Sequence, residues 1–129
     1  MASFRYDHVH LRSPDPETTA AFYERMFGAE VIRSVQSDGS ARVDLDLCGL
    51  KVFIAPVRED RTGSPPSSPY QGLEHLGLAV EGIDQAVAEL KAKGAVFELE
   101  PNTVRPGVRI AFLRGPENVS IELLERSAA

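Results

Sequence analysis

The sequence has no tryptophan and a single cysteine, Cys48. One cysteine closes no internal disulfide, so the fold must rest on apolar burial. The place of Cys48 in an apolar, strand-like run predicts a small buried hydrophobe, not a nucleophile. Basic runs are missing too. Lys and Arg number 14 against 19 Asp and Glu, giving a formal net charge of -5, and no Lys or Arg block exceeds two residues. Nothing here neutralises a phosphate backbone, which excludes nucleic acid as an expected partner. No stretch approaches the roughly 18 to 20 apolar residues that cross a bilayer. The opening MASFRYDHVHLRSPDPE has no apolar signal core, so the expectation is a cytoplasmic protein with no membrane partner. Without such a signal the sequon Asn118-Val119-Ser120 carries little weight.

What is present is enough for one globular domain spanning residues 1–129. A chain of 129 residues buries roughly two thirds of the surface that its unfolded form exposes. It needs no structural metal to fold, and a bound metal would therefore be functional.

The chain is written twice. DHVHLRSPDPETTAAFYERMFGAEVI, from Asp7, runs parallel to EHLGLAVEGIDQAVAELKAKGAVFEL, from Glu74, pairing Asp7-His8 with Glu74-His75. In the first copy Thr19, Phe22, Tyr23 and Met26 mark one helical face, and Ile83, Ala86, Val87 and Leu90 repeat the spacing in the second. Asp15 before Pro16 reads as an N-cap, while Gly28 and Gly94 permit the left-handed residue that closes a helix. Three strand candidates follow each helix: Glu30 to Val35, Ala41 to Leu47 and Leu50 to Ala55, then Val96 to Leu99, Val108 to Leu113 and Val119 to Leu124. The prediction is an α+β chain of two tandem βαβββ modules, 6–57 and 73–125. They are joined by a Pro/Ser/Gly-rich linker, 58–72.

Strand alternation sorts the polar residues. Val9 and Leu11 share one face of the opening strand, with His8, His10 and Arg12 on the other. In the second copy Leu76, Leu78 and Val80 oppose His75, Gly77 and Ala79. In the last strand Ile121 and Leu123 oppose Ser120, Glu122 and Leu124, and aligning Leu50-Lys51-Val52-Phe53 with Val119-Ser120-Ile121-Glu122 puts Phe53 in the place of Glu122. All three histidines thus fall on faces that lack a packed apolar pattern. Two imidazoles and a carboxylate, His8, His75 and Glu122, compose a facial triad able to hold a divalent transition metal such as Fe, Mn, Zn, Ni or Co.

These residues resemble the vicinal oxygen chelate superfamily, which includes lactoylglutathione lyases, methylmalonyl-CoA epimerases, extradiol dioxygenases, fosfomycin-modifying enzymes and bleomycin-sequestering proteins. The likeness runs from Tyr6 to Leu124 and lies in DHVHLRSPD, AFYERMFG, LEHLGLAV and AFLRGPENVSIELLE. It implies a glyoxalase-like fold, in which paired modules form a curved eight-stranded mixed sheet with helices outside. It also implies metal ligation by His8, His75 and Glu122. Phe53 stands where the lyases carry another acidic ligand and the epimerases a glutamine, and Phe112 where extradiol enzymes keep a tyrosine.

The first expectation is a metal-dependent lyase or isomerase of glyoxalase type, acting on a small molecule that chelates the metal through two adjacent oxygens. Glu122 and His10 are its catalytic candidates. His10 shares a face with His8 and is the candidate base, while Arg12, Phe53 and Arg109 are candidate substrate contacts. The alternatives are an Fe(II) extradiol-type dioxygenase, a metal-dependent thiol transferase, and a non-catalytic drug- or toxin-binding resistance protein. Modest size and the two-module resemblance also lead to the expectation of a homodimer.

Overall fold

A computed structural model describes residues 1–127 of the chain. The backbone divides into two compact units, 1–63 and 64–129. Each unit carries one four-stranded mixed sheet and one main helix.

In the first unit β1 (Val9–Ser13) leads into α1 (Pro16–Phe27), followed by β2 (Glu30–Val35), β3 (Ala41–Leu47) and β4 (Leu50–Pro56). The strand order is β1-β4-β3-β2, with β1 parallel to β4 and the other pairs antiparallel. The parallel pair needs a crossover, which α1 and the two following strands supply. Asp15 caps the helix by accepting from the Thr18 amide at 3.3 Å and its hydroxyl at 2.7 Å. Gly28 closes it at φ 70°, donating its N–H to the Glu24 carbonyl. Val43, Leu45, Leu47, Val52 and Ile54 meet Ala20, Tyr23 and Met26 in the core of the unit. A buried polar tie joins β1 to α1, because the Thr19 hydroxyl donates to the Ser13 hydroxyl at 2.7 Å.

The second unit repeats the plan: β5 (Leu76–Ala79), α2 (Ile83–Ala92), β6 (Phe97–Arg105), β7 (Val108–Arg114) and β8 (Ser120–Arg126), in the order β5-β8-β7-β6. Its core is Ala111, Leu113, Ile121 and Leu123 under Ile83, Val87 and Leu90. Gly82 offers α2 no side-chain cap. The carboxylate of Glu125, on β8, accepts from the amides of Gly82 and Ile83 instead, so the helix start is fastened to a strand far along the chain.

Two expectations change. β6 runs to Arg105 and does not stop at Leu99. Glu98, Glu100 and Pro101 break the alternation that would mark a strand, and the ladder tolerates this because β6 is an edge strand with register shifts between Leu99 and Asn102. Cys48 is exposed, not buried. It sits with Gly49 in a two-residue turn between Leu47 and Leu50, at φ 54° and 92° respectively, the paired left-handed geometry of a tight hairpin.

Leu113 is 0% exposed. Leu113→Ala should cost about 2–5 kcal/mol of unfolding free energy in a denaturant titration. The Tyr23 hydroxyl is buried with no hydrogen-bond partner among the described residues, and burial pushes its ionisation up. Tyr23→Phe should therefore leave stability unchanged or raise it, because the substitution deletes an unsatisfied polar atom. A loss comparable to that of Leu113→Ala would contradict this packing.

Candidate functional site

In the first unit, backbone register builds a polar row on the face away from α1. The β1–β4 ladder pairs His10 with Phe53 and Arg12 with Ala55, and the β3–β4 ladder pairs Asp44 with Phe53. His8, just ahead of β1, stacks on the Phe53 ring at a centroid distance of 4.0 Å and an interplanar angle of 22°. The Arg42 guanidinium lies over the same ring at 4.4 Å. Phe53 thus contacts both an imidazole and a guanidinium. The Nε of Arg42 also donates to Asp44 Oδ2 at 2.7 Å. A cleft of about 200 Å³ opens beside this cluster, lined among others by His10, Gln36, Arg42 and Phe53.

The second unit holds the equivalent row with two substitutions. Gly77 pairs with Glu122 across β5 and β8, and Phe112 pairs with Glu122 across β7 and β8. The register therefore matches Phe53 to Glu122, as the repeat alignment predicts, and matches Asp44 to Phe112. Acid and aromatic have exchanged strands between the two copies. His75 meets Phe112 edge-on at 5.1 Å, and its Nε2 lies 3.3 Å from Glu122 Oε1. A Cβ built on Gly77 would sit 3.8 Å from that same oxygen, so the glycine leaves the carboxylate open on one side.

The two histidines at matching places are held alike. Nδ1 of His8 is 2.6 Å from Asp7 Oδ2, and Nδ1 of His75 is 2.7 Å from Glu74 Oε1. Hydrogen bonding to the imidazole holds each of these carboxylic acids below its ordinary range, so both partners are ionised and can only accept. Each Nδ1 must then carry the proton. In the neutral ring this leaves Nε2 with a free lone pair, the form in which imidazole binds a metal.

His10 is electrostatically different. Partial burial lowers its pKa first, and repulsion from Arg12, His8 and Arg42 lowers it further, against an opposing pull from Asp44. The ring is accordingly biased toward the neutral, proton-accepting form. Arg12 shares this face and donates to the Pro56 carbonyl at 3.0 Å. Arg109 is placed elsewhere, because Ala111 and Leu113 alternate with it on the helix side of β7. It binds Asp84 of α2 at 2.8 Å and Thr103 at 3.0 Å. The structure does not bring it to the face of Glu122, and its role there is to join helix to sheet.

The structure brings His8, His10, Arg12 and Phe53 to one face of the first sheet, and His75 and Glu122 to one face of the second. Among the described residues, no three His, Cys, Asp or Glu side chains gather as a ready metal cluster. Arg42 and Asp44 are the members that the sequence reading passed over. Their signal was present in ARVDLDL, where charged residues alternate with Val43, Leu45 and Leu47 in a strand half-buried by pattern.

Comparison with known proteins identifies the family. Residues 7–112 match the sequence profile of the glyoxalase/bleomycin resistance protein/dioxygenase superfamily. The uncharacterized protein YwkD of Bacillus subtilis is 33% identical over 126 residues, which cover 92% of this chain and 94% of YwkD. A probable chloroplastic lactoylglutathione lyase of Arabidopsis thaliana is 41% identical over 129 residues, covering 92% of this chain but 35% of the plant protein. A fosfomycin resistance protein, FosX of Listeria monocytogenes, solved as a variant with Mn(II) and 1S,2S-dihydroxypropylphosphonic acid, shares the fold at a TM-score of 0.70. It is 23% identical, with 98% of this chain and 93% of FosX covered. The chain therefore belongs to the glyoxalase/bleomycin resistance protein/dioxygenase superfamily, the vicinal oxygen chelate proteins that its motifs resemble.

Proposed function

We propose that the protein is a metal-dependent lyase or isomerase of glyoxalase type, acting on a small substrate with two adjacent oxygens, with His8, His75 and Glu122 as ligands of one divalent transition metal. The observation that carries this reading is the duplicated carboxylate–histidine pair. Asp7 and Glu74 fix their imidazoles with Nδ1 protonated, which is the outer-shell device that orients and strengthens a metal-binding histidine. The contact of His75 with Glu122 points the same way. With Nδ1–H given to Glu74, the Nε2 lone pair faces a carboxylate oxygen at 3.3 Å, two acceptors whose opposition a cation relieves. The donor set thus fits a metal of the Fe, Mn, Zn, Ni or Co group.

A bound divalent ion would supply Lewis-acid stabilisation of charge developing on substrate oxygen. The chain's own residues do the rest. His10, biased toward its neutral form, takes a proton from a carbon beside the chelating oxygens and returns it at the neighbouring atom. Arg12 and Phe53 orient the substrate, Arg12 by charge and Phe53 by an apolar face. Gly77, the counterpart of His10, has no group to compete for that proton. A homodimer is the assembly expected for this unit of function, and exposed apolar side chains at Val35, Leu99 and Val104 on the outer strands supply surface for it.

Purified protein should take up about one metal ion per chain when measured by elemental analysis. Glu122→Gln should sharply weaken that uptake while circular dichroism stays unchanged. Unaltered affinity in a His8, His75 and Glu122 triple variant would remove the ligand assignment. His10→Gln should keep its metal and lose about 10²- to 10⁴-fold in turnover of an α-hydroxycarbonyl substrate. Loss of metal and activity together would make His10 a ligand instead.

The acid–base behaviour of His10 can be followed without substrate. In the metal-free protein its ring should titrate by NMR below about 6.5, the ordinary histidine value. Asp44→Asn should lower that midpoint further and Arg12→Gln should raise it. A lowered folded pKa means that the unfolded chain binds the proton first. The contribution of His10 to stability should thus fall as pH drops through the ordinary value toward the folded one.

A further inference from the structure

We infer that Arg42 is the anchor for a carboxylate at the far end of the substrate, and that the substrate is a small monoanion. The inference rests on the proposed reading of this face as the substrate side. It adds the chemical class of the ligand and the residue that selects it.

The guanidinium of Arg42 is fixed on two sides. Its Nε is committed to Asp44 Oδ2 at 2.7 Å and its Cζ lies 4.4 Å from the Phe53 centroid. Among the described residues no hydrogen bond uses its two terminal nitrogens, and the side chain is 38% exposed. A guanidinium held by Nε and by its contact with an aromatic ring, with its terminal N–H groups free, is preorganised for a bidentate carboxylate. Ordinary surface arginines lack this restraint, and the entropy of ordering has already been met by Asp44 and Phe53.

The cleft sets the size. His10, Gln36, Arg42, Phe53, Ala55 and Pro56 line a space of about 200 Å³, smaller than the roughly 300–1,000 Å³ that holds drug-sized ligands. Charge sets the valence. The groups whose charge acts on His10 are Arg12, His8, Arg42 and Asp44; with the His8 imidazole neutral, the two guanidiniums and one carboxylate leave one positive charge in excess. That matches a monocarboxylate better than a phosphate dianion. The excess is locally concentrated in a chain whose formal net charge is -5, so a small anion is drawn to this cleft and repelled from the rest of the surface.

The test is a ¹⁵N NMR titration of the chelator-treated, metal-free full chain with sodium propionate, and in parallel with inorganic phosphate. Propionate has no adjacent oxygens to chelate, so its binding is independent of the metal reading, and metal uptake by the same preparation is measured separately. Propionate should saturate shifts at Arg42 Nε, Gln36 and Phe53, and should bind more tightly than phosphate. Arg42→Gln should weaken it by about ten- to a hundredfold. Arg42→Lys, which keeps the charge but loses the fork, should fall between that variant and the wild type. Shifts that persist in Arg42→Gln, or that never saturate, would overturn the anchor. Tighter binding of phosphate would overturn the monocarboxylate. Metal uptake without propionate binding would sink this inference alone, and propionate binding without metal uptake would sink the metal reading alone.

Discussion

The constraint on which everything else depends is the burial of one face of each four-stranded sheet beneath its helix. Side chains alternate along a strand, so committing Val43, Leu45 and Leu47, or Ala111 and Leu113, to the helix sends every intervening residue to the opposite face. A slip of one residue would bury Asp44 and Glu122 against the helices and expose the core. Register here decides stability and chemistry at once, and the polar faces inherit their precision from the apolar ones.

Set just ahead of β1 and β5, His8 and His75 each make a hydrogen bond to the residue immediately before them. Asp7 and Glu74 stand outside the strands, where the chain still has freedom to turn a carboxylate back onto Nδ1. The same local device at both repeat positions makes accident a poor account of either one. The strands supply position and the acidic neighbours supply tautomer, which together present two Nε2 lone pairs.

Duplication also shows where the two copies have parted. The row His10, Phe53, Asp44 in one sheet corresponds to Gly77, Glu122, Phe112 in the other. The second copy thus has a carboxylate beside its histidine and an open glycine. The first has an aromatic ring there, gripped by Arg42, and a second imidazole. On the proposed reading, the second row supplies metal ligands and the first supplies proton transfer and substrate contact.

The sequence by itself determined the two βαβββ modules, the capped ends of α1, the apolar faces of both helices and the facing of His8, His10, His75 and Glu122. All of these follow from interactions within a few residues or from a strict period. It even aligned Phe53 with Glu122, since a duplicated register leaves a duplicated pattern. Only the tertiary structure decided what depends on side chains distant in the chain. Glu125 caps α2 across the sheet, Arg109 is drawn to Asp84 on the helix side, and Arg42 closes on Phe53 and Asp44. It also moved Cys48 from an expected core position to a hairpin tip, because a backbone turning at positive φ excludes its side chain from the sheet. Periodicity tells which way a side chain points, but its partner there is chosen by strand pairing, and pairing is a property of the folded chain.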